Sequence, residues 1–439
     1  MNIILLLFFL LLFGISYILG KFDILSPWFM LCAMFLLCYA VVLLNTYNWD
    51  VQYSYKTIIY ILISVLAWGE GSLIAKMFPV SKKFKIKYIR FRPLFNQYPV
   101  FIIAPISCIL AFVYCGNMFA LVGWKGNMTS TLRAIYDATV SGASPGFIAN
   151  QFFAIVEVFA YLSIFYMLKF SVKVRRLIIY CIPIIAYSIC ILFSTDRNTL
   201  LRLFIYSISI YILLFQKKYS RNINFKILAK ILPVTACCVL VFFFVGKAKN
   251  YQSNFGTAIS IYSGSGLYGF NLFVNKFENS DLLHGFSSFY TILGVLQKMG
   301  MHIKDLTPFR FDSFIGYIST NGYYFSTNVY TALKRYLEDF GVTGILVIPL
   351  MVGFFYERFY CILRRKKSDL VEIYYAMLIY PIVYFPITEQ LFTRMHLGSV
   401  YEICWMYILY HIFINQQESC KFRFIGSPIP LATVQCFRS

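Results

Sequence analysis

The sequence predicts a membrane protein built of many helices, and its composition and its apolar runs carry that prediction. The chain has 439 residues, of which 60% are hydrophobic and only 13% are charged, whereas soluble domains carry about 25% charged residues. Apolar runs long enough to cross a bilayer recur along the whole chain, and the core of a soluble domain does not need them. We therefore predict an all-α polytopic membrane protein with about eleven transmembrane helices, within a range of about ten to twelve.

The predicted spans divide the chain into four parts. Residues 1–246 hold eight spans, 247–341 form a long loop or lid with amphipathic helices, 342–415 hold three spans, and 416–439 form a tail. The spans are predicted at residues 3–20, 27–45, 57–78, 98–122, 148–170, 177–194, 199–215, 227–246, 342–360, 370–387 and 397–415.

The formal charge of +21 raises the alternative of nucleic-acid binding, so the positions of the basic residues matter. They cluster in loops on one side of the predicted bundle, in the stretches "SKKFKIKYIRFR", "KFSVKVRR", "QKKYSRNINFK", "RRKKSD" and "KFRF". Short loops rich in Lys and Arg stay in the cytoplasm. The charge is therefore a topology signal that argues against a nucleic-acid partner. It places the tail in the cytoplasm, and it places the long loop and, with eleven spans, the N-terminus outside.

One segment of the long loop, "NVYTALKRYLEDFG" (328–341), combines an apolar stripe with charges beside a predicted span. Apolar residues recur there at helical spacing: Val329, Leu333, Tyr336, Leu337 and Phe340. Two charge pairs at i,i+4 spacing follow the other side: Lys334 with Glu338, and Arg335 with Asp339. Gly341 suits a left-handed helix end. We predict a helix at the outer membrane boundary, whose charged side either is solvated or faces the loop or a cavity.

Basic residues at the outer ends of spans are functional candidates, because charge near the bilayer is costly. Arg197 lies in the polar turn "FSTDRNTLLRL", Arg202 follows one turn further in, Arg394 lies in the loop "TEQLFTRMHLG", and Lys247 follows a span. Guanidinium groups bind phosphate oxygens in a bidentate manner, so these residues indicate an anionic ligand at the outer face. The alternative for Arg197 is an ion pair with Asp196 or a helix cap.

Other ionisable residues leave several roles open. Glu70, Glu157 and Glu402 lie within predicted spans, where buried hydrogen-bonding or pairing is expected and a proton path is the alternative. Histidines of the outer loops are either general bases or surface residues: His284, His302 and His396. The stretch "GSGLYG" matches G-x-G-x-x-G but lacks a βαβ context, so we interpret it as a flexible turn. The sequence contains no HExxH or paired-Asp motif, and it predicts neither a metal site nor a cofactor.

Three features together resemble the bacterial O-antigen polymerases, also called oligosaccharide repeat-unit polymerases. They are the turn "STDRNT" before a span, the long outer loop late in the chain, and "NVYTALKRYLEDFGVTGILVIPLMVGFFYERFY" leading into the next span. The architecture matches over most of the chain, and the local matches cover about 40 residues. The predicted eleven spans depart from the even number, with both ends inside, that is more usual in that family.

The resemblance implies a GT-C-like helical fold and a metal-independent, inverting glycosyltransferase of the bacterial inner membrane. Its substrates would be oligosaccharide repeat units on undecaprenyl diphosphate, with membrane lipids around it and a flippase and a chain-length regulator as partners. Arg197 matches the family's diphosphate-binding arginine by motif, while Arg394 and Arg335 fit by location, and Lys247 is a further candidate. The candidates for the proton acceptor are Asp339, Glu338 and His284.

Two alternatives to a polymerase stay open. An O-antigen ligase shares the fold and the donor, but its acceptor is the lipid A core. A flippase or another transporter of lipid-linked oligosaccharides belongs to a different class. The long outer loop favours an enzyme over a transporter.

Overall fold

The computed structural model describes residues 2–79, 99–170, 174–194, 196–219, 255–278, 282–303, 313–366 and 368–413, and 77% of these residues are helical. The helices are α1 Asn2–Leu19, α2 Pro27–Leu44, α3 Thr46–Trp49, α4 Tyr55–Met77, α5 Pro99–Ala120, α6 Met128–Val140, α7 Phe147–Phe170, α8 Val174–Ser194, α9 Arg197–Tyr219, α10 Phe255–Val274, α11 Tyr290–Lys298, α12 Ala332–Lys366, α13 Asp369–Tyr384 and α14 Leu397–Phe413. A short antiparallel hairpin joins β1 Ile315–Ile318 to β2 Tyr324–Thr327, which the all-α prediction did not include.

Among the described residues, eight helices are long and apolar enough to cross a membrane. They are Asn2–Leu19, Pro27–Leu44, Tyr55–Met77, Val100–Ala120, Phe147–Lys169, Leu177–Ser194, Asn198–Lys218 and Ala332–Arg365. The prediction of a polytopic helical membrane protein is thereby confirmed. The predicted spans at 370–387 and 397–415 correspond to α13 and α14, which have 16 and 17 residues. The predicted span 227–246 and the predicted tail 416–439 lie outside the described residues.

The helices are apolar around most of their circumference, as expected for helices in lipid. In α1, Ile3 and Ile4 are exposed, and Phe112 of α5 is exposed as well. Between helices, small residues allow close backbone contact, which is typical of membrane bundles. An added Cβ at Gly71 of α4 would lie 2.0 Å from the Leu350 carbonyl oxygen of α12. The pair α4–α12 is therefore packed backbone to backbone.

Lysine side chains form ion pairs at one end of the bundle, which we call the basic end. There the ends of α7 and α9 meet the start of α13, where Lys217 binds both Asp369 and Glu372, at 3.1 and 2.8 Å, and Lys169 also binds Asp369. The end of α12 lies there too, because α12 ends at Lys366 and α13 begins at Asp369. The end of α4 lies beside it, because Lys76 pairs with Glu357 at 3.5 Å. The starts of α7, α9 and α14 form the opposite end, so the described helices alternate in direction as the spans were predicted to do.

The described part of the long loop packs onto the bundle. Its helix α10 contacts α2, and the buried Asn271 accepts the backbone N–H of Ser54 at 3.0 Å and donates to the Gln52 carbonyl oxygen at 2.7 Å. The interpretation of "GSGLYG" as a flexible turn is wrong, because this stretch lies inside α10. An added Cβ at Gly266 would lie 2.6 Å from the Ile387 carbonyl oxygen. Gly266 therefore permits close contact between α10 and the segment that follows α13.

Residues 332–341 form the start of α12, whereas residues 328–331 precede the helix, so the predicted helix begins four residues later than expected. Gly341 has a φ of 61° and a ψ of −146° and divides α12 into two helices, 332–340 and 342–366. Its predicted position at a helix end is confirmed, but its ψ is not that of a left-handed helical residue. The solvated-charge alternative is wrong, because Lys334 is only 4% exposed and pairs with Glu338 at 2.5 Å. The ammonium group of Lys334 also lies 5.0 Å from the ring centre of Tyr330. The charged side of this helix is therefore covered by protein.

Candidate functional site

A cavity of about 680 Å³ lies at the end of the bundle opposite the basic end, and we call it the polar cavity. It is enclosed by the starts of α7, α9 and α14, the end of α13 and the segment 390–398. Its volume falls within the range of about 300–1,000 Å³ that is usual for small-molecule sites. Its ionisable lining residues, tyrosines apart, are Glu157, Asp196, Arg202, Lys298, Arg394, His396 and Glu402, and its aromatic ones are Phe147, Phe153, Tyr380 and Tyr401.

Arg202 lies at the base of the polar cavity between two carboxylates. Its Nη2 is 2.7 Å from Oε1 of Glu157, and its Nη1 is 3.5 Å from Oε2 of Glu402. The side chains of Arg202, Glu157 and Glu402 are 11%, 3% and 8% exposed. Tyr161 donates its hydroxyl to Oε1 of Glu157 at 2.8 Å. Buried charges inside a membrane are stable only when paired, and the predicted pairing of Glu157 and Glu402 is confirmed. Glu70 is exposed on α4, so its predicted burial is wrong.

Arg394 reaches the same group of charges from the other wall. Its Nη2 donates to Oε2 of Glu402 at 3.1 Å, and its guanidinium carbon lies 5.8 Å from the ring centre of Tyr380. Glu402 therefore holds the guanidinium groups of Arg202 and Arg394 side by side. A guanidinium has five N–H donors, and the bond to Glu402 uses one of those of Arg394. The others can bind an oxyanion in the cavity.

The turn that presents Arg394 is held by a buried carboxylate. Glu389 is 2% exposed, and its two oxygens accept the backbone N–H groups of residues 391–393 at 2.7 to 2.8 Å. It also accepts the Thr393 hydroxyl at 2.7 Å. Four hydrogen bonds to one carboxyl group fix the local backbone. The position of Arg394 is therefore set before any ligand arrives.

The charged residues at the start of α12 lie behind this turn and are not among the residues that line the polar cavity. Asp339 is 0% exposed and accepts the backbone N–H groups of Ser287 and Ser288 at 2.9 and 2.5 Å. Glu338 accepts the Ser287 hydroxyl at 2.9 Å. Arg335 donates to the Ser287 carbonyl oxygen at 3.3 Å and to the Thr393 hydroxyl at 3.1 Å. These side chains therefore hold the segment 282–289 and the Arg394 turn together.

The other predicted site residues are placed as follows. His284 is exposed with a φ of 50°, and its backbone N–H donates to the Asp339 carbonyl oxygen at 3.1 Å. Helix α9 begins at Arg197, but the side chain of Arg197 and all of Lys247 lie outside what the structure describes. Next to Arg197, Asp196 lines the polar cavity and caps α9 through the Asn198 N–H at 2.9 Å. Of the predicted diphosphate-binding residues, Arg394 therefore lines the polar cavity, and so do Asp196 and Asn198, the neighbours of Arg197.

His396 lines the polar cavity. In the sequence it was only one of three candidate histidines in the outer loops. Its Nδ1 accepts the backbone N–H of Ser399 at 3.3 Å, so the neutral imidazole carries its hydrogen on Nε2. The side chain is exposed on one side, but protein on its other sides displaces water and lowers the pKa of His396, with Glu402 raising and Arg202 lowering this pKa. At neutral pH the group is therefore an uncharged Nε2–H donor.

Lys298, at the end of α11, is a third cationic side chain in the polar cavity, beside Arg202 and Arg394. No pattern in the sequence indicated this role. The start of α11 is fixed to the Arg394 turn, because the Thr291 hydroxyl donates to the Phe392 carbonyl oxygen and the Phe289 ring lies 4.8 Å from the Phe392 ring. Among the described residues, no group of three or more His, Cys, Asp or Glu side chains is arranged to hold a metal ion.

Fold and site together define a polytopic helical membrane protein with an arginine-containing cavity at one end of its bundle. No protein-family model, curated protein or solved structure matches the chain.

Proposed function

We propose that the protein is a polysaccharide polymerase of the O-antigen type. It joins oligosaccharide repeat units, carried on undecaprenyl diphosphate, at the periplasmic face of the bacterial inner membrane. The observation that carries this proposal is the pair of guanidinium groups of Arg202 and Arg394, held together by Glu402 in a cavity at the bundle's end. Lys298 and the Nε2–H of His396 add two donors to the same space.

The charge distribution supports a periplasmic position for the polar cavity. Lysines and arginines concentrate in the loops of the basic end, and such loops remain in the cytoplasm. The polar cavity lies at the opposite end, which supports the proposal that it faces the compartment to which lipid-linked repeat units are delivered. The described lining of the polar cavity has three cationic side chains, Arg202, Lys298 and Arg394, beside three carboxylates. Guanidinium and ammonium groups at the outer end of the bundle suit a ligand with a diphosphate head and a hydrocarbon tail, because the tail can stay in the lipid.

The proposed reaction needs no metal ion. The acceptor hydroxyl oxygen bonds to the anomeric carbon of the growing glycan, the bond from that carbon to the diphosphate oxygen breaks, and the electron pair stays with the lipid diphosphate. Arg394, Lys298 and His396 stabilise the charge that develops on this leaving group. The hydroxyl proton passes to a base, for which Asp339, Glu338 and His284 stay predictions; Asp196 is an exposed carboxylate in the cavity itself.

The buried group Glu157–Arg202–Glu402 favours a second candidate function. Ionisable residues inside a membrane bundle also mark the pathways of transporters, and a flippase for the same lipid-linked unit would bind the same diphosphate. Both candidates need the polar cavity, but they differ in what happens to the bound unit. A polymerase forms a new glycosidic bond, and a flippase moves an unchanged unit across the bilayer.

Deleting the gene in its native host separates these candidates. Loss of a polymerase is expected to leave lipopolysaccharide core capped by a single repeat unit, because delivery and ligation of single units continue. Gel electrophoresis of the lipopolysaccharide measures this directly, and a plasmid copy of the gene is the control that should restore the ladder. Bare core without any unit would contradict the polymerase and support the flippase, or the ligase that the sequence left open.

A further inference from the structure

A second cavity, of about 390 Å³, adjoins the polar cavity. It lies between α11 and the start of α14, and the two cavities share Lys298, His396, Leu397 and Gly398 as lining residues. Lys298 and His396 therefore lie at the junction of the two cavities. A ligand group in the second cavity would be in direct reach of a phosphate held by Lys298.

The remaining lining of the second cavity is neutral. It combines the tyrosine side chain of Tyr290, the hydroxyl of Thr291, the open backbone at Gly294, the apolar side chain of Val295 and the amide of Gln297. None of the nine residues of α11 is buried; Gln297 and Lys298 are exposed and the others are half-buried. An aromatic or apolar surface with a few neutral hydrogen-bonding groups suits a ligand that is itself flat, partly apolar and rich in hydroxyls.

We propose that the second cavity is a carbohydrate subsite, which holds a sugar ring next to the phosphate group bound in the polar cavity. This inference rests on the proposed function and extends it, because it assigns α11 to sugar recognition. The volume lies within the range of about 300–1,000 Å³ for small-molecule sites. The sugar belongs either to the incoming repeat unit, which is the acceptor, or to the growing glycan, which is the donor.

Gly294 offers a direct test, since an added Cβ there meets no described atom within 4 Å. Because Gly294 also lines the second cavity, the larger side chain of Gly294→Phe is expected to occupy part of that cavity. Gly294→Ala is the matched control, because it adds a single methyl group and leaves the cavity open. Binding is measured on the purified full chain in nanodiscs with three probes: undecaprenyl diphosphate, the repeat-unit oligosaccharide freed of its lipid, and the complete lipid-linked unit.

Gly294→Phe is expected to weaken binding of a sugar-bearing probe by about tenfold or more, and to leave binding of undecaprenyl diphosphate unchanged. Weaker binding of the lipid-free oligosaccharide identifies the acceptor sugar as the occupant. Weaker binding of the lipid-linked unit alone identifies the sugar attached to the diphosphate, which in the donor is the sugar at the reacting carbon. Equal binding of both sugar-bearing probes by the wild type and Gly294→Phe overturns the subsite, as does a wild type that binds neither. Failure of the wild type to bind undecaprenyl diphosphate refutes the proposed function instead.

Discussion

Replacing Arg394 by alanine is expected to remove the long polysaccharide ladder and to leave lipopolysaccharide with a single repeat unit. The substitution removes a guanidinium group beside the diphosphate on which negative charge accumulates during the reaction. Loss of one such donor lowers a rate by about a hundredfold to a thousandfold. Arg394→Lys keeps the charge but not the planar fork, so an intermediate ladder is expected. Gel electrophoresis of lipopolysaccharide from cells with equal amounts of each variant in the membrane measures the effect.

Arg133→Ala is the matched control for this experiment. Arg133 lies on α6, its side chain is 51% exposed, and it pairs with Asp137 at 3.6 Å. It is not among the residues that line either cavity, and exposed ion pairs contribute little to stability. Its replacement is expected to leave the ladder unchanged. A ladder of wild-type length from Arg394→Ala would show that Arg394 does not contribute to polymerisation.

Arg202→Ala is expected to destabilise the folded protein more than any other single change discussed for this site. It leaves the carboxylate of Glu157 buried in the bundle without its guanidinium partner, and it takes one of two arginines from Glu402. Removing one partner of a buried pair costs about 3–5 kcal/mol. The expected readout is a lower midpoint of thermal unfolding for the purified protein in nanodiscs, together with less protein in the membrane.

The double variant Arg202→Gln with Glu157→Gln tests the cause of that loss. It removes both charges and keeps hydrogen-bonding side chains, so it is expected to be more stable than Arg202→Ala while still failing to polymerise. If Arg202→Ala unfolds at the same temperature as the wild type, then Glu157 and Glu402 are hydrated and the ion group does not stabilise the bundle.

The fold class follows from hydropathy, because lipid requires apolar residues on the outside of every span. The sequence did not indicate that residues 255–274 form the helix α10. Its glycines suggested a turn, but in the structure they bring the helix backbone against the segment after α13. Glycine has the same local preference in both settings. Only the tertiary contact, which the sequence does not specify locally, distinguishes them.

Most of the charged site residues were conspicuous in the sequence, because charge within or at the edge of a span needs an explanation. The sequence therefore indicated four of them separately, namely Glu157, Arg202, Arg394 and Glu402. That they lie together in one cavity depends on how α7, α9 and α14 pack. Lys298 had no such signal, since a lysine in a loop is ordinary. The structure also connects Arg335 and Asp339 to the site indirectly, through Thr393 and the segment 282–289.

Reconstitution tests the central claim most directly. The purified full chain is placed in proteoliposomes with lipid-linked repeat units and a metal chelator, and the glycans are analysed by mass spectrometry. Polymerase activity predicts glycans of several repeat units together with released undecaprenyl diphosphate from the wild type, and single units from Arg394→Ala. Repeat units that stay single with the wild type, whether or not they cross the bilayer, would contradict it.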